Sequence, residues 1–259
     1  MVNASKLSLA SAIVISSFLL PVTAKADQAE VHTFHCLHGC PTGAPASNDL
    51  IVREIYTLSS NDSTHLADWV AYRITPETIG PTNTRTWRAD PWLDDSETLE
   101  PEDYTRAPAE LGIDRGHQAP LATFTGTSSW RDTNYLSNIT PQSSDLNQGP
   151  WLALENAERE LVRSSGQAVY VITGTLYERD MRPMPQADEP HQVPSGYWKV
   201  VAMEDGTVAS FIMDQTLNRS APFCGTQVSL DEVEQRAGLK LFPRLAVRAF
   251  QPLNVGLGC

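Results

Sequence analysis

Strand-like apolar runs, rich in β-branched and aromatic residues, occupy 50–58, 69–74, 168–176, 197–203 and 208–213. The helical period shows in two places. Pro150 follows Gly149 at an expected first helical position, and Trp151, Leu154, Ala157 and Leu161 then form one apolar stripe. Ser229 and Glu232 have capping-box spacing ahead of a second helix. Strands come first, a helix sits in the middle, and strands follow without regular βαβ alternation, so the expected class is α+β. No internal repeat and no long Gly/Ser- or Pro-rich linker divides the chain.

The N-terminus reads as an export leader. Lys6 supplies a positive start, residues 7–20 are apolar but diluted with serine, Pro21 breaks the run, and Ala24-Lys25-Ala26 is a small-x-small cleavage site. The expected division is therefore a signal peptide at 1–26 and one domain at 27–259, secreted or periplasmic, with no membrane attachment after cleavage. All four cysteines follow that site, an even count that in an oxidising compartment argues for two disulfides. The expected pairs are Cys36–Cys40, a small local loop, and Cys224–Cys259, tying down the C-terminus. Zinc is the competing reading, because His32, His35 and His38 surround the first pair.

Composition narrows the classes further. The 259 residues are 41% hydrophobic and 19% charged, enough to bury a sizeable core. The net charge of −12 removes the overall basic signature of a nucleic-acid binder. Without the leader, 17 cations face 31 anions, and among those cations only Lys199 and Lys240 are lysine. Residues 94–103 hold six acids and read as a solvated loop, since the EF-hand glycine pattern is missing.

The chemistry concentrates in the middle. Asp114-Arg115-Gly116-His117 is followed by Asn138-Ile139-Thr140-Pro141-Gln142, then Leu146-Asn147-Gln148-Gly149-Pro150-Trp151, then Glu155 and Arg159. No Walker loop, G-x-G-x-x-G, H-E-x-x-H or G-x-S-x-G is present. His117 is a candidate general base, and Arg115 offers a fork suited to phosphate oxygens. Asn138 and Asn147 carry neutral carbonyl oxygens that suit a hard, hydrated cation. Glu155 could hold a water of that cation, with Arg159 at i+4 on the same face. Singly, each has a duller explanation: a turn histidine, a helix cap, a surface ion pair.

As an ordered set, D-R-G-H, N-I-T-P-Q, L-N-Q-G-x-W and E-x-x-x-R resemble the DNA/RNA non-specific endonucleases of the ββα-metal, or His-Me finger, class, in its secreted Serratia-type branch. Further likeness lies in Cys40-Pro41-Thr42-Gly43, Thr84-Arg85-Thr86-Trp87 and the stretch from Gly174 to Asp180. The resemblance implies a single domain with a central antiparallel sheet flanked by helices and a ββα-metal motif. By position it makes His117 the general base, Asn147 the magnesium ligand, Asn138 a support for the histidine and the substrate side, and Glu155 the residue that orients water on the metal. Arg85, Arg115 and Arg159 would contact phosphate or support the site.

The implied reaction is hydrolysis of DNA and RNA, single- or double-stranded, to 5′-phosphorylated oligonucleotides, with Mg²⁺ or else Mn²⁺ as cofactor. Implied partners are DNA and RNA, and a second copy of the chain, since the family includes homodimers. For an acidic protein, the expectation is a local groove lined by Arg85, Arg88, Arg115, Arg131 and Arg159. Asn138-Ile139-Thr140 and Asn61-Asp62-Ser63 are also glycosylation sequons, read as chance. Two other classes remain: a secreted metal-dependent phosphodiesterase or phosphatase on small substrates, and a non-catalytic exported binding protein.

Overall fold

The computed structural model describes Met1 and residues 30–81, 83–245 and 250–259; the leader reading thus falls on residues outside this description, apart from Met1. Ten strands form in chain order: β1 (Asp49–Val52), β2 (Thr57–Asn61), β3 (Leu66–Ile74), β4 (Ile113–His117), β5 (Ile139–Ser143), β6 (Val169–Leu176), β7 (Gly196–Ala202), β8 (Thr207–Asp214), β9 (Gln227–Val228) and β10 (Gln251–Pro252). The helices are α1 (Ala107–Leu111), α2 (Leu121–Phe124), α3 (Ser144–Leu146), α4 (Leu152–Ser165) and α5 (Leu230–Ala237). The main sheet runs β1-β2-β3-β6-β7-β8-β10 with β9 also on β8, and it is antiparallel except where β10 joins β8. Strands β4 and β5 form a separate antiparallel pair. The expected α+β class and central antiparallel sheet are what the chain builds.

The period of two assigns the sheet's faces. Val70, Tyr72, Val171, Tyr197, Val201 and Phe211 project to one side, where they meet Trp151, Leu154, Leu161 and Val162 of the α4 region in one core. Trp69, Ala71, Ile172, Trp198 and Val200 project to the other, under Leu230 and Val233 of α5 and the Cys36–Cys40 loop. The sheet is thus the middle of three layers, which explains why its central strands are buried along their length. No helix among the described residues is long and apolar enough to cross a membrane.

Both expected disulfides form, Cys36–Cys40 and Cys224–Cys259. The zinc reading falls with them: no thiolate is left, and the buried His35 ring contacts Thr57 Oγ1 at 2.9 Å and the Glu54 carbonyl at 3.0 Å.

Three expectations need correction. The run 50–58 is a hairpin rather than one strand: the Arg53 N–H donates to Tyr56 O at 2.9 Å, and Val52 then faces Thr57. Pro150 does not begin the helix. The chain is already helical from Ser144, where the Ser143 hydroxyl accepts from the Leu146 N–H, and Pro150 sits inside a widened π-type turn, Asn147–Trp151. Its missing N–H is tolerated because Gly149 leaves helical geometry there, at φ −111° and ψ −112°. Finally, the acidic segment is not wholly solvated, since Asp103 is buried and accepts from the Glu100 N–H.

Gly149 is also a point of close approach: a Cβ there would lie 2.4 Å from the Arg219 carbonyl oxygen and 2.7 Å from its Cα. Both atoms are backbone and cannot swing aside. Gly149→Ala is expected to cost about 1–3 kcal/mol, read as a lower urea midpoint; an unchanged midpoint would mean that the turn is free to move.

Candidate active site

The β4–β5 pair and the turn leading into α4 converge on one cleft of about 760 Å³, whose wall includes Arg85, Trp87, Asp114, Arg115, His117, Asn147, Gln148 and Glu155. Strand β4 supplies Asp114, Arg115 and His117 within four residues. Its glycine is sterically required: a Cβ on Gly116 would lie 2.5 Å from Gln142 Oε1, a side chain packed with no exposure.

His117 is buried, with its ring centroid 5.2 Å from that of Trp87 and its Nε2 without a hydrogen-bond partner. Burial above all, and then the Arg85 guanidinium, push the imidazole down to about 3, while the Asn134 amide works the other way. The ring is therefore neutral at physiological pH, with one nitrogen unprotonated. The backbone after it is clamped by Asn138: Oδ1 accepts from Ala119 N–H at 2.8 Å, and Nδ2 donates to Ala119 O and Thr133 O, each at 2.9 Å. Asn138 is fully buried and outside the cleft wall, so it positions the His117 segment and can carry no glycan.

Asp114 ties β4 to the helical turn. Its Oδ2 accepts from Asn147 Nδ2 at 2.9 Å and Gln148 Nε2 at 2.7 Å, and its Oδ1 accepts from Ser144 Oγ at 2.7 Å. Burial raises this carboxyl, but the three hydrogen bonds outweigh it and hold it below the ordinary range. With the Asn147 N–H₂ committed to a carboxylate, its carbonyl oxygen is the end available to a ligand. Glu155, two turns further on, is buried; desolvation raises its carboxyl, opposed first by Lys199 and then by Arg159. The Asn147 carbonyl is a neutral oxygen donor of the kind that suits a hard, hydrated divalent cation.

The arginines divide. Arg85 is exposed on the cleft wall. Arg115 donates to Pro101 O at 2.7 Å and has its guanidinium carbon 5.1 Å from the Tyr104 ring and 5.7 Å from the Trp87 ring. The other three expected groove residues are elsewhere. Arg159 is buried, bound to Thr123 Oγ1 at 3.2 Å and Asn156 Oδ1 at 2.6 Å, because its place on α4 turns it toward α2. Arg88 lies 4.4 Å over the Tyr135 ring and donates to the Arg131 carbonyl, and Arg131 covers Trp130 at 4.6 Å.

Residues 38–248 match the family model for DNA/RNA non-specific endonucleases. The chain belongs to that family. It is 47% identical to the nuclease of Serratia marcescens over 90% of this chain and 89% of that one. It is 29% identical to human mitochondrial endonuclease G over 80% of this chain and 74% of the relative. Among solved structures, a chain of an EndoG/EndoGI complex superposes with a TM-score of 0.67 at 24% identity, covering 78% of this chain and 89% of that chain, which shows the shared fold. The reaction class of this endonuclease is accordingly hydrolysis of nucleic acid within the strand.

Sequence reasoning assigned no part to Asp114, Trp87 or Gln148, although all three lie within or beside the quoted motifs. Their signal was adjacency alone; only the fold shows that Asp114 grips both amides of Asn147-Gln148.

The endonuclease's buried histidine makes stability depend on pH. Unfolded, the ring takes up a proton below its ordinary 6.5; folded, it does so only near 3. Between those values the unfolded chain binds more protons, so the contribution is intact above about 6.5 and drains away as pH falls toward 3. The wild-type urea midpoint is expected to fall across that window more steeply than that of His117→Gln. Parallel profiles would show that the folded ring accepts its proton freely.

Proposed function

We propose that this endonuclease cleaves phosphodiesters by metal-assisted attack of water, with His117 as general base. What carries the reading is one cleft holding a neutral imidazole with an unpartnered nitrogen beside an asparagine whose oxygen is its available end. His117 accepts the proton of the attacking water. A phosphate anion in the cleft would raise the ring from its low resting value toward working pH. Arg85 and Arg115 hold phosphate oxygens through charge-assisted hydrogen bonds. Asn138 keeps the His117 segment in place, and Arg159 does the same for α4. Glu155 orients a water whose proton goes to the leaving 3′-oxygen.

Asn147 would hold the cation, Mg²⁺ or else Mn²⁺, with Asp114 fixing its amide from behind. Bound there, such an ion supplies Lewis-acid neutralisation of the charge growing on the phosphate. The products carry 5′-phosphates. Because water is the nucleophile, the 2′-hydroxyl takes no part, so DNA and RNA, in one strand or two, are both substrates. Residues 1–26 are proposed as an export leader, which suits the two disulfides of the domain. A second copy of the chain is a further candidate partner, since the family includes homodimers.

Purified mature protein is expected to degrade supercoiled plasmid and bulk RNA with Mg²⁺ and neither with excess chelator. Folded His117→Ala should lose about 10²–10⁴-fold in rate. Near-wild-type cleavage by that variant would remove His117 from its role. Turnover of a chromogenic diester with both polymers intact would favour the small-substrate phosphodiesterase.

A further inference from the structure

Beneath the cleft, on the sheet face covered by α4, lies a lysine with no exposure: Lys199, in mid-β7. Its cross-strand neighbours are Thr173 and Phe211. Its Nζ lies 3.2 Å from Glu158 Oε1, 4.0 Å from Glu155 Oε1 and 4.1 Å from the Trp151 ring centroid. Nζ and Glu158 Oε1 are not aligned as a hydrogen bond, so the contact is an ion pair. The other Glu158 oxygen accepts from the Tyr72 hydroxyl at 3.1 Å.

With Arg159, this buried island holds two carboxylates and two cations. Each charge is tolerable there only because the set balances. Without Lys199 the set carries one surplus negative charge, which disfavours the ionised form of both carboxyls. Of the two, Glu155 is the one on the cleft wall.

We infer that Lys199 is a positioning residue, which by pairing with Glu158 and facing Glu155 favours the ionised form of the Glu155 carboxyl on the cleft wall. The functional part of this rests on the role given above to Glu155. The groups facing Glu155 are Glu158, Arg159 and the Trp151 indole from its own helical segment, Lys199 from β7, and Tyr72 from β3 through Glu158. Asp114, Arg115, Arg85 and His117 share its cleft. On balance burial leaves the Glu155 carboxyl above its ordinary value; Lys199 gives the largest opposing pull, and Glu158 adds to the rise. The two members of the ion pair therefore act on Glu155 with opposite signs, which a packing role alone would not produce.

The test follows the Glu155 carboxyl by ¹³C NMR in metal-free, disulfide-bonded protein, its signal identified by loss in Glu155→Gln. Lys199→Met is expected to move the titration midpoint up by about one pH unit or more. Glu158→Gln should move it down, and Lys199→Met/Glu158→Gln, with balance restored, should bring it back. In parallel, kcat on DNA should fall about 10–100-fold in Lys199→Met with KM little changed, and recover in the double variant and in Lys199→Arg. If Lys199→Met does not fold, Glu158→Gln and the double variant decide. An unmoved midpoint in folded variants overturns the inference whatever the rate. A shifted midpoint with full activity in Lys199→Met upholds the pairing and overturns the part assigned to Glu155, so the two failures are distinct.

Discussion

Helix α4 is seated on the central sheet by Trp151, Leu154 and Val162, packed with Tyr72, Val171, Val201 and Phe211, and the geometry of the cleft depends on this seam. Close-packed interiors do not let a helix roll or slide without opening voids. The seam therefore fixes where the turn ahead of the helix presents Asn147 and Gln148, and where Glu155 points two turns later. Strand β4 reaches the same place from another element, and Asp114 closes the gap with three hydrogen bonds. The base and the oxygen donors are thus held by two elements braced against each other.

Charge is arranged as deliberately as shape. His117 is kept neutral by burial and by Arg85, and burial likewise leaves the Glu155 carboxyl above its ordinary value, with Lys199 and Arg159 limiting that rise. Burial thus moves the imidazole down and the carboxyl up, the separation by which an acid and a base can coexist in one cleft. Placing Lys199 and Glu158 inside an otherwise apolar seam is costly. The local balance of charges offsets that cost, and Lys199 opposes the rise that burial imposes on the Glu155 carboxyl.

Much of this was legible in the chain. The alternation of apolar residues located the central strands, the stripe from Trp151 to Leu161 marked the helix facing the sheet, and the ordered motifs gathered the residues of the cleft. What escaped did so for physical reasons. The Arg53–Tyr56 turn lacks glycine, proline or asparagine, so the first hairpin looked like one strand. Pro150 resembles a helix start unless one knows that Gly149 opens the turn before it. Arg88, Arg131 and Arg159 are cations in sequence, but their direction is a tertiary property: aromatic rings claim the first two, and the Thr123 hydroxyl and Asn156 amide claim the third. Lys199 gave a usable sign as one of two lysines beyond residue 26, set in an apolar strand.

The acidity of the endonuclease is not carried into the cleft, where Arg85 and Arg115 face Asp114 and Glu155 in even number, and a divalent cation held there would tip that local balance toward the polyanion. The central claim is that cation and base occupy the two sides of this one cleft, and Mn²⁺ reads it most directly. Titrated into the protein, it should broaden the His117 ring signals saturably. In folded Asn147→Ala, that broadening should vanish while the His117 shifts stay in place. Equal broadening in wild type and Asn147→Ala would show that the ion sits elsewhere, and would contradict the account.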